Sequence, residues 1–201
     1  MTRLLHACFA LLLLVGIAPR ADAAVTITFW SHEFGNSFPH AFFSLRGTPD
    51  AGGAPVDANY GFTAKTISPA ILMGTVPGRL DISKPAYIDS SDAQFSVVLT
   101  DAQYAAVLAL TRDWGEEGDH SYNLNKRNCV HFVQEAARRS GVANVDFPAL
   151  MKKPRSYLLA VAAANAGTVT VIGQPGVKYL ASLQPIVPPA SAAAPLAPAV
   201  R

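Results

Sequence analysis

The chain has 201 residues, of which 50% are hydrophobic and 15% are charged, and its formal net charge is +2. This length is enough for one medium-sized domain with a core, and the composition excludes a chain that is disordered throughout. Because charges of both signs are interspersed and form no basic stripe, nucleic acid is not an expected partner.

The first 23 residues have the features of a secretory signal. Arg3 supplies the positive end, residues 8–17 (CFALLLLVGI) form a short apolar run, and residues 21–23 (ADA) fit a small-x-small cleavage site. The run is shorter than the ~20 residues that span a bilayer, so a cleaved signal is favoured over a retained anchor. We therefore expect a secreted or periplasmic protein, with residues 24–184 as its domain and no integral membrane span after cleavage.

The sequence of the first part of this domain predicts a small antiparallel sheet. β-Branched and aromatic runs predict strands at residues 25–30, 40–45 and 59–65. Glycines and prolines make residues 48–57 a surface loop, which would join the second and third strands into an antiparallel pair. Gly61, inside the third strand, marks a close approach or a bulge.

In the second part of the domain, the sequence patterns predict both strands and helices. Residues 94–99 alternate as a strand, with Phe95, Val97 and Leu99 inward. Thr100 caps a helix through Trp114, whose predicted core face comprises Tyr104, Val107, Leu108 and Thr111. Further predicted elements are a helical turn at 68–73, an edge strand or irregular cover at 76–88, a helix at 154–164, a strand at 168–172, and a disordered Pro/Ala-rich tail at 185–201.

Cys129 would be the lone cysteine of the mature chain, because Cys8 lies in the signal. A free thiol in an oxidising compartment is either a buried core residue or a reactive group. A helix is predicted over residues 128–139, closed by two arginines and a C′ glycine. Its buried face begins at Cys129 and continues with Phe132, Val133 and Ala136.

The position of Cys129 in the first helical turn predicts thiol chemistry. Free backbone N–H groups and the positive end of the helix dipole favour the thiolate, so they are expected to lower the pKa of the thiol. The same N–H groups can donate to a developing oxyanion. A thiol nucleophile also needs a base, and histidine is the usual one.

Four histidines of the mature chain could serve Cys129. His131 lies about 200° round the helix from the cysteine, so packing or a supporting hydrogen bond is the expected role. His120 lies in an acidic loop and is most simply a solvated residue. His40 opens a strand, which holds a side chain rigidly, and it is favoured over His32, the reserve candidate.

A third polar group usually orients the imidazole. Asn59, on the strand expected beside His40, is the first choice, with Tyr60 and Asp57 behind it; the strand register is open at this point. Asn128 either positions the site or caps the helix. No metal or cofactor is predicted, because the histidines and the cysteine match no ligand spacing and no phosphate loop or G-x-S-x-G motif occurs.

Two motifs together resemble a known group of enzymes. Arg127-Asn128-Cys129-Val130-His131-Phe132-Val133, which follows His40-Ala41-Phe42-Phe43 at a strand start, is similar to the permuted papain-like superfamily. This group includes NlpC-type cell-wall amidases and lecithin:retinol acyltransferase-like enzymes, which carry an N-C-x-H-F-V signature. The Tyr122-x-Leu124 lead-in is also similar, and the resemblance covers about residues 38–141.

This resemblance implies an α+β, permuted papain-like fold with a small antiparallel sheet packed against two or three helices. It makes Cys129 the nucleophile and His40 the base. The chain has no histidine between residues 41 and 119, so Asn59 takes the third position, and Asn128, Tyr122 and Tyr60 are orienting or oxyanion candidates.

The expected activity is that of a secreted cysteine hydrolase or acyl transferase. Its substrates would be amide bonds of cell-wall peptides. A lipid acyl hydrolase or acyltransferase and a non-catalytic envelope binding protein with an inert thiol are the alternatives. The protein is expected to be a monomer.

Overall fold

The computed structural model describes residues 24–33 and 38–186. Its centre is a seven-stranded antiparallel sheet in the order β6-β4-β3-β2-β1-β5-β7. The strands are β1 (Val25–His32), β2 (His40–Gly47), β3 (Val56–Ala64), β4 (Thr75–Asp81), β5 (Asp92–Leu99), β6 (Ser121–Asn123) and β7 (Thr170–Pro175).

Six α-helices accompany the sheet in the described part of the chain. They are α1 (Ala70–Met73), α2 (Pro85–Asp89), α3 (Asp101–Trp114), α4 (Cys129–Arg139), α5 (Pro154–Ala164) and α6 (Gly176–Ser182). The α+β class is confirmed, and the sheet is larger and the helices more numerous than expected. None of these helices has the length and apolarity needed to cross a membrane, within residues 24–33 and 38–186.

The sheet has a large core on one face and a smaller one on the other. The main core packs α3, α4 and α5 against the sheet and contains five fully buried phenylalanines: Phe29, Phe43, Phe62, Phe95 and Phe132. The second core is formed by Trp30, Phe42 and Ala93 beneath α2 and α6. Because side chains alternate along a strand, β2 directs Ala41 and Phe43 to the main core and Phe42 to the second.

Most strands and helices lie close to their predicted positions, and two differences concern β3 and β4. β3 begins at Val56 because its pairing with β2 extends to Gly47. β4 is an interior strand between β3 and β6, where an edge strand or irregular cover was expected. Its Gly78 passes the Phe62 ring so closely that a Cβ would lie 2.6 Å from it, which explains a glycine in this interior strand.

The core face of α3 was predicted only in part. Val107 is buried as expected, but the other buried residues are Leu110 and Trp114. Tyr104 and Leu108 are half-buried at the border of the core. Periodicity alone does not indicate which edge of the apolar stripe on a helix will be buried. In α3 the contact with α4 buries the edge that contains Leu110 and Trp114.

The predicted signal, residues 1–23, and most of the predicted tail lie outside the described residues.

Candidate active site at Cys129

Asn128 holds the first turn of α4. Its Oδ1 accepts hydrogen bonds from the backbone N–H groups of Val130 (2.8 Å) and His131 (3.2 Å). Its Nδ2 donates to the carbonyl oxygens of Leu124 and Met151, both at 2.8 Å. The side chain is buried, and His131 completes a capping box with it. Asn128 therefore caps the helix, and His131 supports the cap from the first turn.

Arg127 fixes the turn that precedes Cys129. Its guanidinium carbon lies 3.6 Å from the centroid of the Trp114 ring, and one of its nitrogens donates to the Asp119 carbonyl. Its backbone carbonyl accepts from the N–H of Asn123 at 2.9 Å. Sequence reasoning quoted Arg127 only as part of a motif, because no sequence pattern indicates a stacking partner 13 residues away.

The thiol of Cys129 is buried, with 7% of the residue exposed. Burial raises its pKa to about 11, although the backbone N–H groups of Ala41, Val130 and Cys129 itself oppose this rise. The prediction of a lowered pKa is therefore wrong. Three N–H groups do favour the thiolate, but the loss of water around a buried anion outweighs them.

Cys129 lies where β2 and β3 separate. Their pairing ends at Phe42 and Gly61, and β3 continues to Ala64 paired only with β4. The N–H of Ala41 thus has no partner on β3 and instead interacts with the sulfur of Cys129. We call this opening beside Ala41 the β2–β3 gap.

His40 borders the β2–β3 gap from the other face of the sheet. Its ring stacks against Phe42, with 6.2 Å between centroids, and lies over Gly61. Its Nε2 is buried and has no hydrogen-bond partner among the described residues. Burial lowers the pKa of His40 to about 4, Asp81 raises it and His32 lowers it further. His40 is therefore a neutral imidazole at pH 7, with a nitrogen that can accept a proton.

Gly61 leaves the space that the His40 ring occupies. A Cβ at position 61 would lie 2.5 Å from Nε2 of His40 and 3.3 Å from Cβ of Phe42. The close approach expected at this glycine is thereby confirmed. The position of the His40 ring therefore depends on the absence of a side chain at residue 61.

Replacing Gly61 with alanine is expected to displace the His40 ring and to lower the free energy of unfolding by about 1–3 kcal/mol, the usual cost of overpacking. Urea denaturation measures the change. Gly167→Ala is the matched control, because no atom lies within 4 Å of a Cβ there. An unchanged stability for Gly61→Ala, with an unchanged chemical shift of the His40 ring, would contradict this account.

The three residues expected beside His40 have other partners. Asn59 lies opposite Ser44, and its amide exchanges hydrogen bonds with the backbone of Ser83 at 2.7 and 3.1 Å. Tyr60 is directed to the main core, where its ring packs against Phe43. Asp57 pairs with Arg46 at 2.6 Å and is exposed. The structure therefore does not bring these three side chains to His40.

Asp81 is the acidic residue that acts on His40. It lies opposite Gly61 in the β3–β4 pairing, so it shares a sheet face with the His40 ring, and its charge raises the pKa of His40 against the effect of burial. It also pairs with Arg79 at 2.8 Å. Sequence reasoning missed Asp81 because residues 76–88 were expected only as an edge strand or irregular cover, with no register against β3.

Tyr122 lies near the thiol, as its place in the lead-in to Cys129 implied. Burial, and then the neighbouring Cys129, raise the pKa of Tyr122 to about 12. The phenol therefore keeps its proton at neutral pH and can donate a hydrogen bond.

His120 lies in the exposed position expected of it, whereas His32, the reserve candidate for the base, has partners of its own. His32 ends β1 opposite His40, stacks on Tyr87 at 4.2 Å and lies 3.2 Å from the hydroxyl of Ser91. His120 is exposed in its loop. Across residues 24–33 and 38–186, no group of three or more His, Cys, Asp or Glu side chains could hold a metal ion.

No protein-family model matches this chain, and neither a curated protein nor a solved structure matches it.

Proposed function

We propose that the protein is a cysteine hydrolase or acyl transferase of permuted papain-like fold, with Cys129 as nucleophile and His40 as base. One observation carries the proposal. The thiol lies at a helix N-terminus among three backbone N–H groups, one of which belongs to the residue that follows His40. A thiol that only fills a core needs no such donors.

The resting pair would be a neutral thiol and a neutral imidazole. As Sγ of Cys129 attacks the carbonyl carbon of an amide, a sulfur–carbon bond forms and the thiol proton passes to His40. The transfer runs through a water molecule in the β2–β3 gap, because the His40 ring lies on the other face of the sheet and its Nε2 has no hydrogen bond to the thiol in the described structure. The backbone N–H of Cys129 and the phenol of Tyr122 are the donors for the oxyanion, because Asn128 already accepts from the N–H groups of Val130 and His131. His40 then gives its proton to the leaving amine, the carbon–nitrogen bond breaks, and water or another acceptor resolves the thioester.

The substrate class in this proposal follows from the predicted export signal and from the resemblance. Amide bonds of cell-envelope peptides come first, and acyl esters of lipids come second. The protein would act as a monomer in the periplasm or outside the cell, without a cofactor.

A non-catalytic envelope binding protein is the second candidate. It is favoured by the burial of Cys129 and its raised pKa, because a thiol that stays protonated at pH 7 is a weak nucleophile unless a base assists it. The two candidates differ in whether Cys129 ever becomes acylated.

Acylation of Cys129 tests the proposal directly. We expect brief incubation with muropeptides at pH 7, followed by acid quenching, to leave a thioester on Cys129 that intact-mass spectrometry detects. His40→Ala should slow its formation by about a hundredfold or more, because general-base catalysis is worth that much. His120→Ala is the matched control and should leave the rate unchanged.

Two results would reject the enzyme in favour of the binding protein or another chemistry. One is the absence of any acyl adduct with muropeptides and with phospholipid vesicles. The other is full turnover by Cys129→Ser. Release of fatty acid without peptide cleavage would instead reverse the order of the two substrate classes.

A further inference from the structure

The connection between β3 and β4 exposes a cluster of large apolar side chains. We call residues 65–74 the apolar tip. Ile67 is 56% exposed, Leu72 78% and Met73 87%, whereas the other exposed large apolar residues are scattered over different elements. Single exposed apolar residues are ordinary on protein surfaces, but three within seven positions indicate an interaction site.

The apolar tip contributes no fully buried residue to the fold, and Ile71 is its one half-buried large apolar residue. None of the four residues of α1 is buried. The helix is held by the backbone turns in which the N–H groups of Ile71 and Leu72 donate to Ser68 and Pro69. Since the core does not need the side chains of Ile67, Leu72 and Met73, their apolar character requires another explanation.

Two exposed lysines lie at the base of the apolar tip, and the acidic residue Asp119 lines a pocket with Thr75, Val76 and Pro77 further along β4. Lys65 is exposed at its base, and no acidic residue occurs between Lys65 and Leu80. The pairing of Thr75 with Asn123 brings the turn that contains exposed Lys126 to the same end of the sheet. An apolar projection with lysines at its base matches the boundary between lipid tails and anionic headgroups.

We propose that the apolar tip inserts into the surface of an anionic lipid bilayer and anchors the protein there peripherally. A convex tip of a few side chains suits a bilayer better than a protein, since a stable protein interface buries about 800 Å² on each partner. The proposal does not depend on the chemistry at Cys129.

Tryptophan fluorescence at the tip tests insertion locally. Trp30 and Trp114 are buried, so a new tryptophan at an exposed position reports on its own surroundings. In the full chain, the emission of Leu72→Trp should shift to the blue with vesicles of equal parts phosphatidylcholine and phosphatidylglycerol. Brominated lipids should quench it. Val171→Trp, at a separate exposed apolar position on β7, is the matched control and should show neither effect.

Two further variants measure how much the apolar and the charged side chains contribute to vesicle binding. Replacing Leu72 and Met73 together with serine should weaken binding to the mixed vesicles about tenfold or more. Lys65→Gln should weaken it about fivefold, and only while phosphatidylglycerol is present.

Three outcomes would overturn the proposal. The first is an unchanged emission of Leu72→Trp on vesicles. The second is an equal shift in Val171→Trp, which would indicate general adsorption. The third is a blue shift that grows with protein concentration in the absence of lipid, which would identify the apolar tip as a contact between copies of the chain.

Discussion

Replacing Asn128 with alanine is expected to lower the free energy of unfolding by about 3–4 kcal/mol. The cap alone accounts for about 1–2 kcal/mol, because two N–H groups of the first turn of α4 lose their acceptor. The carbonyls of Leu124 and Met151 also lose their donor, at about 1 kcal/mol each. One side chain joins the helix, the turn before it and the segment after it.

Urea denaturation of two further variants separates these contributions. Asn128→Ser keeps an oxygen for the cap but cannot reach both carbonyls, so about half of the loss is expected. Asn125→Ala removes the same side chain from an exposed position nearby and should change the stability by less than about 0.5 kcal/mol. A loss below about 1 kcal/mol for Asn128→Ala would show that the cap and the two carbonyls are satisfied in another way.

Acid is expected to destabilise the protein through His40. Its pKa is about 4 in the folded protein against 6.5 in an unfolded chain, mainly because of burial. Above pH 6.5 both states are neutral at this residue, so the full stability is present. Between pH 6.5 and 4 the unfolded chain binds a proton that the folded protein excludes, so the free energy of unfolding falls, by about 3 kcal/mol in total.

The difference between the wild type and His40→Gln isolates this effect. Urea denaturation at pH values from 7 to 4 should give a steeper decline for the wild type, because the variant has no imidazole to protonate. His120→Gln, at an exposed histidine, should follow the wild type. Parallel curves for the wild type and His40→Gln would mean that the folded protein accepts the proton freely, and His40 would then not be desolvated.

The pKa shifts of Cys129 and His40 both favour the neutral form of the side chain. Burial raises the pKa of Cys129 and lowers the pKa of His40, so a preformed thiolate–imidazolium pair is not the resting state. In the proposed mechanism the charges therefore arise only as the substrate carbonyl is attacked. This distinguishes the proposal from one in which the helix N-terminus alone activates the cysteine.

Local signals in the sequence were sufficient for the start of α4. A capping residue, an apolar stripe and a closing glycine act within one or two helical turns, so Asn128, the buried face from Cys129 and the C′ position of Gly141 could be read from neighbouring residues. The same holds for His40 as the first residue of β2 and for the close approach at Gly61. Their catalytic roles remain predictions.

Contacts between distant segments could not be read in this way. The register of β2 against β3 places Asn59 opposite Ser44, and the register of β3 against β4 brings Asp81 to Gly61. A shift of one residue would reverse both faces, and no short-range pattern determines it. The stacking of Arg127 on Trp114 likewise depends on where α3 packs.

By itself, the sequence determined that one cysteine begins the buried face of a capped helix and that a histidine opens an early strand, because both follow from short-range spacing. Only the tertiary structure decided the protonation of that cysteine. Three backbone N–H groups favour the thiolate, but the core around Sγ removes water from it, and the free energy of desolvation depends on residues from the whole fold.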